Sequence, residues 1–144
     1  MIKSNNNEAI ITVDHSEVPG SICVQTKLGQ KNIGYLTFNE RMDRIDSFFV
    51  ATKCRQKGIG RAMFQALVDA LKKGGSVEEL FVYPQSFNPE GKEYDNEETV
   101  NRDVLELIYE KLGFVLCEKS SGVIPNKYKY VISQESEKND KGDN

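Results

Sequence analysis

Between Lys53 and Arg61 the chain carries four bases, Lys53, Arg55, Lys57 and Arg61, together with Gly58 and Gly60 and no acid. Glycine lets a backbone approach a ligand closely. Where such a stretch opens a helix, the first amides have no internal partner and point outward. They bind phosphate through hydrogen bonds and the helix dipole, and flanking Lys and Arg add charge. Two commoner phosphate loops are excluded by spacing. No Gly-Lys-Ser/Thr of a P-loop exists, and Met63 stands where a dinucleotide fingerprint needs its third glycine. The glycines alone leave a second reading open, a tight strand-to-helix turn with solvated bases.

Other chemistries have fewer residues to draw on. Cys23, Cys54 and Cys117 are an odd number at wide spacing, and His15 is the sole histidine. That excludes a disulfide framework, most zinc chemistry and a His-paired serine or cysteine triad. The cysteines read as reduced residues in or near the core, and Cys54 as a loop thiol without a His to activate it. The net charge of −3 argues against a nucleic-acid partner. From Gln85 to Asp103, however, six acids stand against Lys92 and Arg102. One local site can attract an anion and another a cation.

The elements that position these residues change period along the chain. At 144 residues, 38% hydrophobic and 28% charged, the sequence fits one domain, read as residues 1–132. Residues 133–144 carry nothing to bury after Ile132 and read as a disordered polar tail. No apolar run is long enough for a membrane span or a signal peptide, so the expected location is the cytoplasm. Strands are expected at Ile10 to Val13, Ser21 to Thr26, Ile33 to Phe38 and Arg44 to Val50. In the fourth, alternation puts Asp46, Phe48 and Val50 on one face and Ile45 and Phe49 on the other. Ile59, Ala62, Met63, Ala66, Leu67, Ala70 and Leu71 then mark a helix from about Gly58 to Lys73. Leu80 to Tyr83 is a short strand. A second helix carries Val100, Val104, Leu105, Ile108 and Leu112 on its apolar side and stops at Gly113, before a last strand pair at Phe114 to Glu118 and Tyr128 to Ile132. The order is mixed α/β.

Arg55-Gln56-Lys57-Gly58-Ile59-Gly60 resembles the R/Q-x-x-G-x-G/A signature of the GNAT superfamily of acetyl-CoA-dependent N-acetyltransferases. Val50 stands five residues before Arg55, as a strand valine does in that family. Ile108-Tyr109-Glu110-Lys111-Leu112-Gly113-Phe114 is similar to the family's later LYEKLGF element. The resemblance implies a GNAT-like mixed, mostly antiparallel sheet flanked by two main helices, with acetyl-CoA as cosubstrate. It implies that backbone groups around Phe49, Val50 and Thr52 pair with the pantetheine arm. The Arg55 to Arg61 turn would hold the pyrophosphate on amides of Gln56, Lys57, Gly58, Ile59, Gly60 and Arg61. Tyr109 would be the general acid for the departing thiolate, a role suited to a phenol. Asp46, on the expected face of Val50, is the candidate base for the amine, the alternative being a solvated strand carboxylate.

Two departures bear on the acceptor. Asp14 to Gly20 leaves no room for the helices the family usually places between its first two strands, so these are missing or much reduced. The segment from Gln85 to Glu98 also lengthens the approach to the last helix. The implied reaction is direct acetyl transfer to a primary amine on a small molecule or protein, the acceptor cationic if the acidic segment lines its side. A homodimer is left open. The competing readings are a CoA-binding regulatory module without chemistry, which the short front half favours, and an acetyltransferase acting on aminoacyl-tRNA, which the acidic segment disfavours.

Overall fold

Alternating and β-branched residues give the front half four strands in succession: β1 (Ala9–Asp14), β2 (Ser21–Leu28), β3 (Lys31–Asn39) and β4 (Arg44–Val50). They are followed by a short 3-10 helix (Thr52–Cys54), α1 (Ile59–Gly74), β5 (Glu79–Val82), α2 (Arg102–Leu112), β6 (Val115–Glu118) and β7 (Lys127–Val131). The computed structural model describes residues 8–15, 19–85, 97–120 and 124–132. The expected polar tail and most of the acidic segment, Glu90, Glu93 and Asp95 included, lie outside the described residues. Only residues 15–20 separate β1 from β2, too few for the helices expected to be missing or much reduced there.

The strands form one sheet in the order β1-β2-β3-β4-β5-β7-β6. Every neighbouring pair is antiparallel except β4 and β5, which run parallel. α1 lays Met63, Phe64, Leu67, Val68 and Leu71 into a core with Ile22, Val24, Leu36 and Phe38. This is the 3.6-residue stripe meeting one face of the sheet. Gly75, left-handed at φ +76°, ends the helix and donates its N–H to Leu71 O at 3.1 Å. Ile33, Phe49 and Ala51 form a second, smaller cluster. No helix among the described residues is long and apolar enough to cross a membrane.

The strict alternation expected in β4 is broken. Thr37 faces Ser47, but Phe38 faces Ile45, so Asp46 is an extra residue in the ladder. The bulge moves Ile45 out of the set of Phe49 and into the main core with Phe48 and Val50. The apolar side expected on α2 forms, with Leu112 packed against the core. Of its residues only Tyr109 is buried, whereas Val104, Leu107 and Ile108 are exposed at 44%, 56% and 41%. These side chains line a cleft instead of packing on the sheet. Cys117 is likewise exposed, because β6 is an edge strand, while Cys23 and Cys54 are half-buried.

α2 is held at both ends and along its length. Asn101 caps it by accepting the Val104 N–H at 3.0 Å, and Gly113 closes it in a left-handed conformation. Between these, the buried Tyr128 on β7 points its hydroxyl at Glu106 Oε1 (3.2 Å) and Glu110 Oε2 (3.3 Å). Asn126 Nδ2 donates to Glu106 Oε2 at 3.1 Å. Tyr128→Phe should therefore cost about 1 kcal/mol, less than is usual for hydrogen bonds to charged groups because Glu110 is exposed. Thermal melts should show Tm lower by roughly 2–8 °C. An unchanged Tm would mean that water replaces the phenol without loss.

Candidate active site

β4 and β5 share a single register pair, Arg44 opposite Phe81. Beyond it β4 runs on to Val50 with no described strand on that side. The Ala51 N–H donates to Ile33 O at 2.8 Å, so residues 51, 49 and 47 turn their peptide groups toward β3. Phe48 and Val50, in the alternate pairs, turn theirs the other way, toward the gap. The gap widens into a cleft of about 1300 Å³, bounded by β4, the turn into α1 and the length of α2. Its exposed strand edge is a ready template for an extended amide-bearing chain.

α1 opens onto this cleft in a conformation its sequence dictates. Gln56 (φ +63°) and Gly58 (φ +85°) are both left-handed. A Cβ at Gly58 would meet nothing within 4 Å, which leaves the backbone bare toward the cleft. At Gly60 it would meet Phe48 and Val50 at 3.7 Å, an ordinary van der Waals contact, so packing there does not demand glycine. The first helical bond is Ala62 N–H to Gly58 O at 3.0 Å. The amides of Ile59, Gly60 and Arg61 therefore have no partner inside the helix. No side chain caps this end and no acid stands in its first turn, in contrast to α2 with Asn101 and Asp103. An anion is the complement of such a terminus.

The sequence-predicted residues divide around this turn. Phe49, Val50, Thr52, Arg55, Gln56, Gly58, Gly60 and Arg61 line the cleft together with Tyr109 and Asp46. Lys57 is exposed outside its lining, and Ile59 packs on the core. Phe49 keeps its side chain in the second cluster, beneath the Arg55 guanidinium at 6.0 Å, and its peptide groups on β3. Arg55 Nε donates to Val50 O at 2.7 Å. Arg61 Nη2 donates to Lys111 O at 3.1 Å, which joins the start of α1 to the end of α2.

Tyr109 is buried, its ring edge-on to Phe48 at 6.2 Å and to Phe114 at 5.3 Å. Burial pushes its hydroxyl far above the ordinary range for a phenol, so it is held as a proton donor. Asp46 accepts from Arg44 Nε at 2.7 Å and from Asn39 Nδ2 at 3.4 Å, and its side chain is 41% exposed. No group of three or more His, Cys, Asp or Glu residues among the described residues could hold a metal ion. Two contributors escaped the sequence. The outward edge of Phe48 follows by counting two residues back from Val50. Glu97, whose Oε1 accepts both the N–H (2.6 Å) and the hydroxyl (2.8 Å) of Thr52, has no signal in spacing.

The Thr52 N–H holds the Glu97 carboxyl below its ordinary value of 4.5, against a smaller opposing effect of burial and with help from the Thr52 hydroxyl, Arg55 and Lys31. A lowered folded value gives stability that is present above about pH 4.5 and is lost as the pH falls through the folded value. Glu97→Gln should thus flatten the dependence of Tm on pH on the acid side of about 4.5. Parallel melting profiles for the two proteins would show that the contact contributes nothing.

The profile described as the Acetyltransferase (GNAT) family matches residues 4–92. No curated protein sequence matches the chain. Among solved structures, the PaiA N-acetyltransferase from Thermoplasma acidophilum in complex with coenzyme A is similar, with a TM-score of 0.59 and 13% identity. That match covers 78% of this chain but only 61% of the Thermoplasma enzyme. The ribosomal-protein-S18-alanine N-acetyltransferase from Escherichia coli is similar at TM-score 0.54 and 17% identity, over 81% of this chain and 72% of that one. The spermidine/spermine N-acetyltransferase SpeG from Vibrio cholerae, in complex with manganese ions, gives TM-score 0.55 and 14% identity, over 86% and 72%. At these identities the likeness is one of fold.

Proposed function

Since the chain belongs to the GNAT family of acetyltransferases, matched over residues 4–92, we propose that it moves an acetyl group from acetyl-CoA directly to a primary amine. The observation that carries this reading is the uncapped, basic N-terminus of α1, opening beside a β4 edge that no described strand pairs with, in the cleft that Tyr109 lines. Acetyl-CoA supplies a thioester carbonyl open to attack by a neutral amine. The chain's own groups divide the rest of the work. The outward peptide groups of Phe48 and Val50 hold the pantetheine amides. The amides of Ile59, Gly60 and Arg61, with the Arg55 and Arg61 guanidiniums, hold the pyrophosphate. The Tyr109 hydroxyl, kept protonated by burial, donates to the thiolate as it leaves.

The incoming amine must first lose a proton. Asp46 is the base in this reading, steadied by Arg44, and acts directly or through one water. Two of the similar structures belong to enzymes named for a polyamine and for a ribosomal-protein alanine. Both acceptors are amines that are protonated in water. We extend this class, a cationic amine, to the present chain, with Asp46 and Glu98 as the carboxylates lining the cleft. The catalytic unit is residues 1–132.

Calorimetry with acetyl-CoA tests the cofactor site. Arg55→Ala should weaken binding modestly, and Gly58→Val should weaken it more, since a side chain at φ +85° fills the bare approach. Unchanged affinity in a folded Gly58→Val protein would remove the assignment. Release of free thiol tests the chemistry across polyamines, amino acids and peptides. Tyr109→Phe should keep the affinity for acetyl-CoA and lower kcat by about 10²–10⁴-fold. A rate within about twofold of wild type would assign the proton to another group.

A further inference from the structure

Thr52 directs both of its polar hydrogens at one oxygen. Its N–H and its hydroxyl both donate to Glu97 Oε1, and the hydroxyl in turn accepts the Glu98 N–H at 2.8 Å. These partners are 45 and 46 positions away in sequence. The contact ties the chain that leads into α2 to the turn that leads into α1. Ala51 offers no side chain to cap the 3-10 helix that Thr52 begins, and Glu97 fills that role from a distance. Arg55 and Lys31 lie close enough to favour the ionised carboxylate. Glu98 and Val100 continue from Glu97 along the wall of the cleft that Val50, Arg55 and Gly60 also line.

Glu97 is outside the lining of the cleft but is bound to Thr52 and precedes Glu98, both of which line it, so its carboxylate is an anion beside a site built for anions. It draws on the Arg55 charge that the pyrophosphate needs, and it repels that pyrophosphate if it stays. We propose that Glu97 is an internal competitor of acetyl-CoA, an autoinhibitory contact on Thr52 that cofactor binding must break; this rests on the reading of the turn as the acetyl-CoA site. The contact is made of two hydrogen bonds to one charged oxygen, so it is strong enough to be populated and weak enough to be exchanged. Apparent affinity falls by the fraction of molecules in which the site is available. With Glu97 docked about nine-tenths of the time, acetyl-CoA binds about tenfold more weakly than to the released turn.

Calorimetry with acetyl-CoA on the full chain, wild type against Glu97→Gln and Glu97→Ala, tests this together with the Thr52 amide proton in NMR spectra. Both variants should bind acetyl-CoA about three- to tenfold more tightly. In wild type, saturation with acetyl-CoA should shift the Thr52 amide resonance to near its position in Glu97→Ala, the sign that the carboxylate has left. Equal or weaker binding by both variants overturns the proposal, as does a Thr52 amide unmoved at saturation, which would make Glu97 a fixed cap. Wild-type binding with either of those results leaves the cofactor reading standing. Absence of binding by all three proteins removes both.

Discussion

β4 and β5 run side by side in the same direction, yet they share one register pair, Arg44 with Phe81, where the Phe81 N–H donates to Asp43 O at 2.8 Å. A parallel strand pair normally shares a continuous ladder of hydrogen bonds, and leaving that ladder unmade strands polar groups. Here the strand edge is left over from Phe48 to Val50, and the rest of the site is arranged around it. α1 starts where the parting strands leave room, α2 bridges the far side, and Arg61 ties the two helices together across the gap. Arg55 Nε meets the Val50 carbonyl, so one of the stranded acceptors is partnered from within the turn.

The bulge at Asp46 serves the same separation from the other edge of β4. One extra residue sharpens the local twist and turns the strand's far end away from a flat course. It also redistributes side chains, since Ile45, Phe48 and Val50 all reach the main core while Phe49 anchors the second cluster with Ile33 and Ala51. β4 is thereby gripped on both faces although, among the described residues, no strand pairs with one of its edges beyond Arg44. That grip matters for a strand so sparsely paired on one side.

Elements whose stability comes from a regular apolar period could be read directly from the residues. α1 shows a stripe from Ile59 to Leu71 and glycines at both ends, and it forms between Ile59 and Gly74. The glycine turn and the LYEKLGF-like end of α2 carried the family reading for the same reason, because short-range spacing fixes local backbone geometry. The bulge was illegible because it is a property of two strands in register and not of one strand's pattern. The apolar side of α2 was legible but its destination was not. Val104 and Ile108 have helical spacing, but apolar spacing cannot tell a core from a cleft wall. The Thr52–Glu97 contact spans 45 positions, and nothing local in either residue announces the other.

The burial of Tyr109 among Phe48 and Phe114 has a consequence for how this cleft answers to acidity. A phenol so desolvated keeps its proton well beyond the point at which a phenol ordinarily loses it. A group that never titrates leaves no inflection in a rate profile. Tyr109 then adds no curvature of its own to the response of the cleft to pH, and the basicity of the entering amine enters that response directly. Amines of different basicity would trace different curves past the same buried phenol.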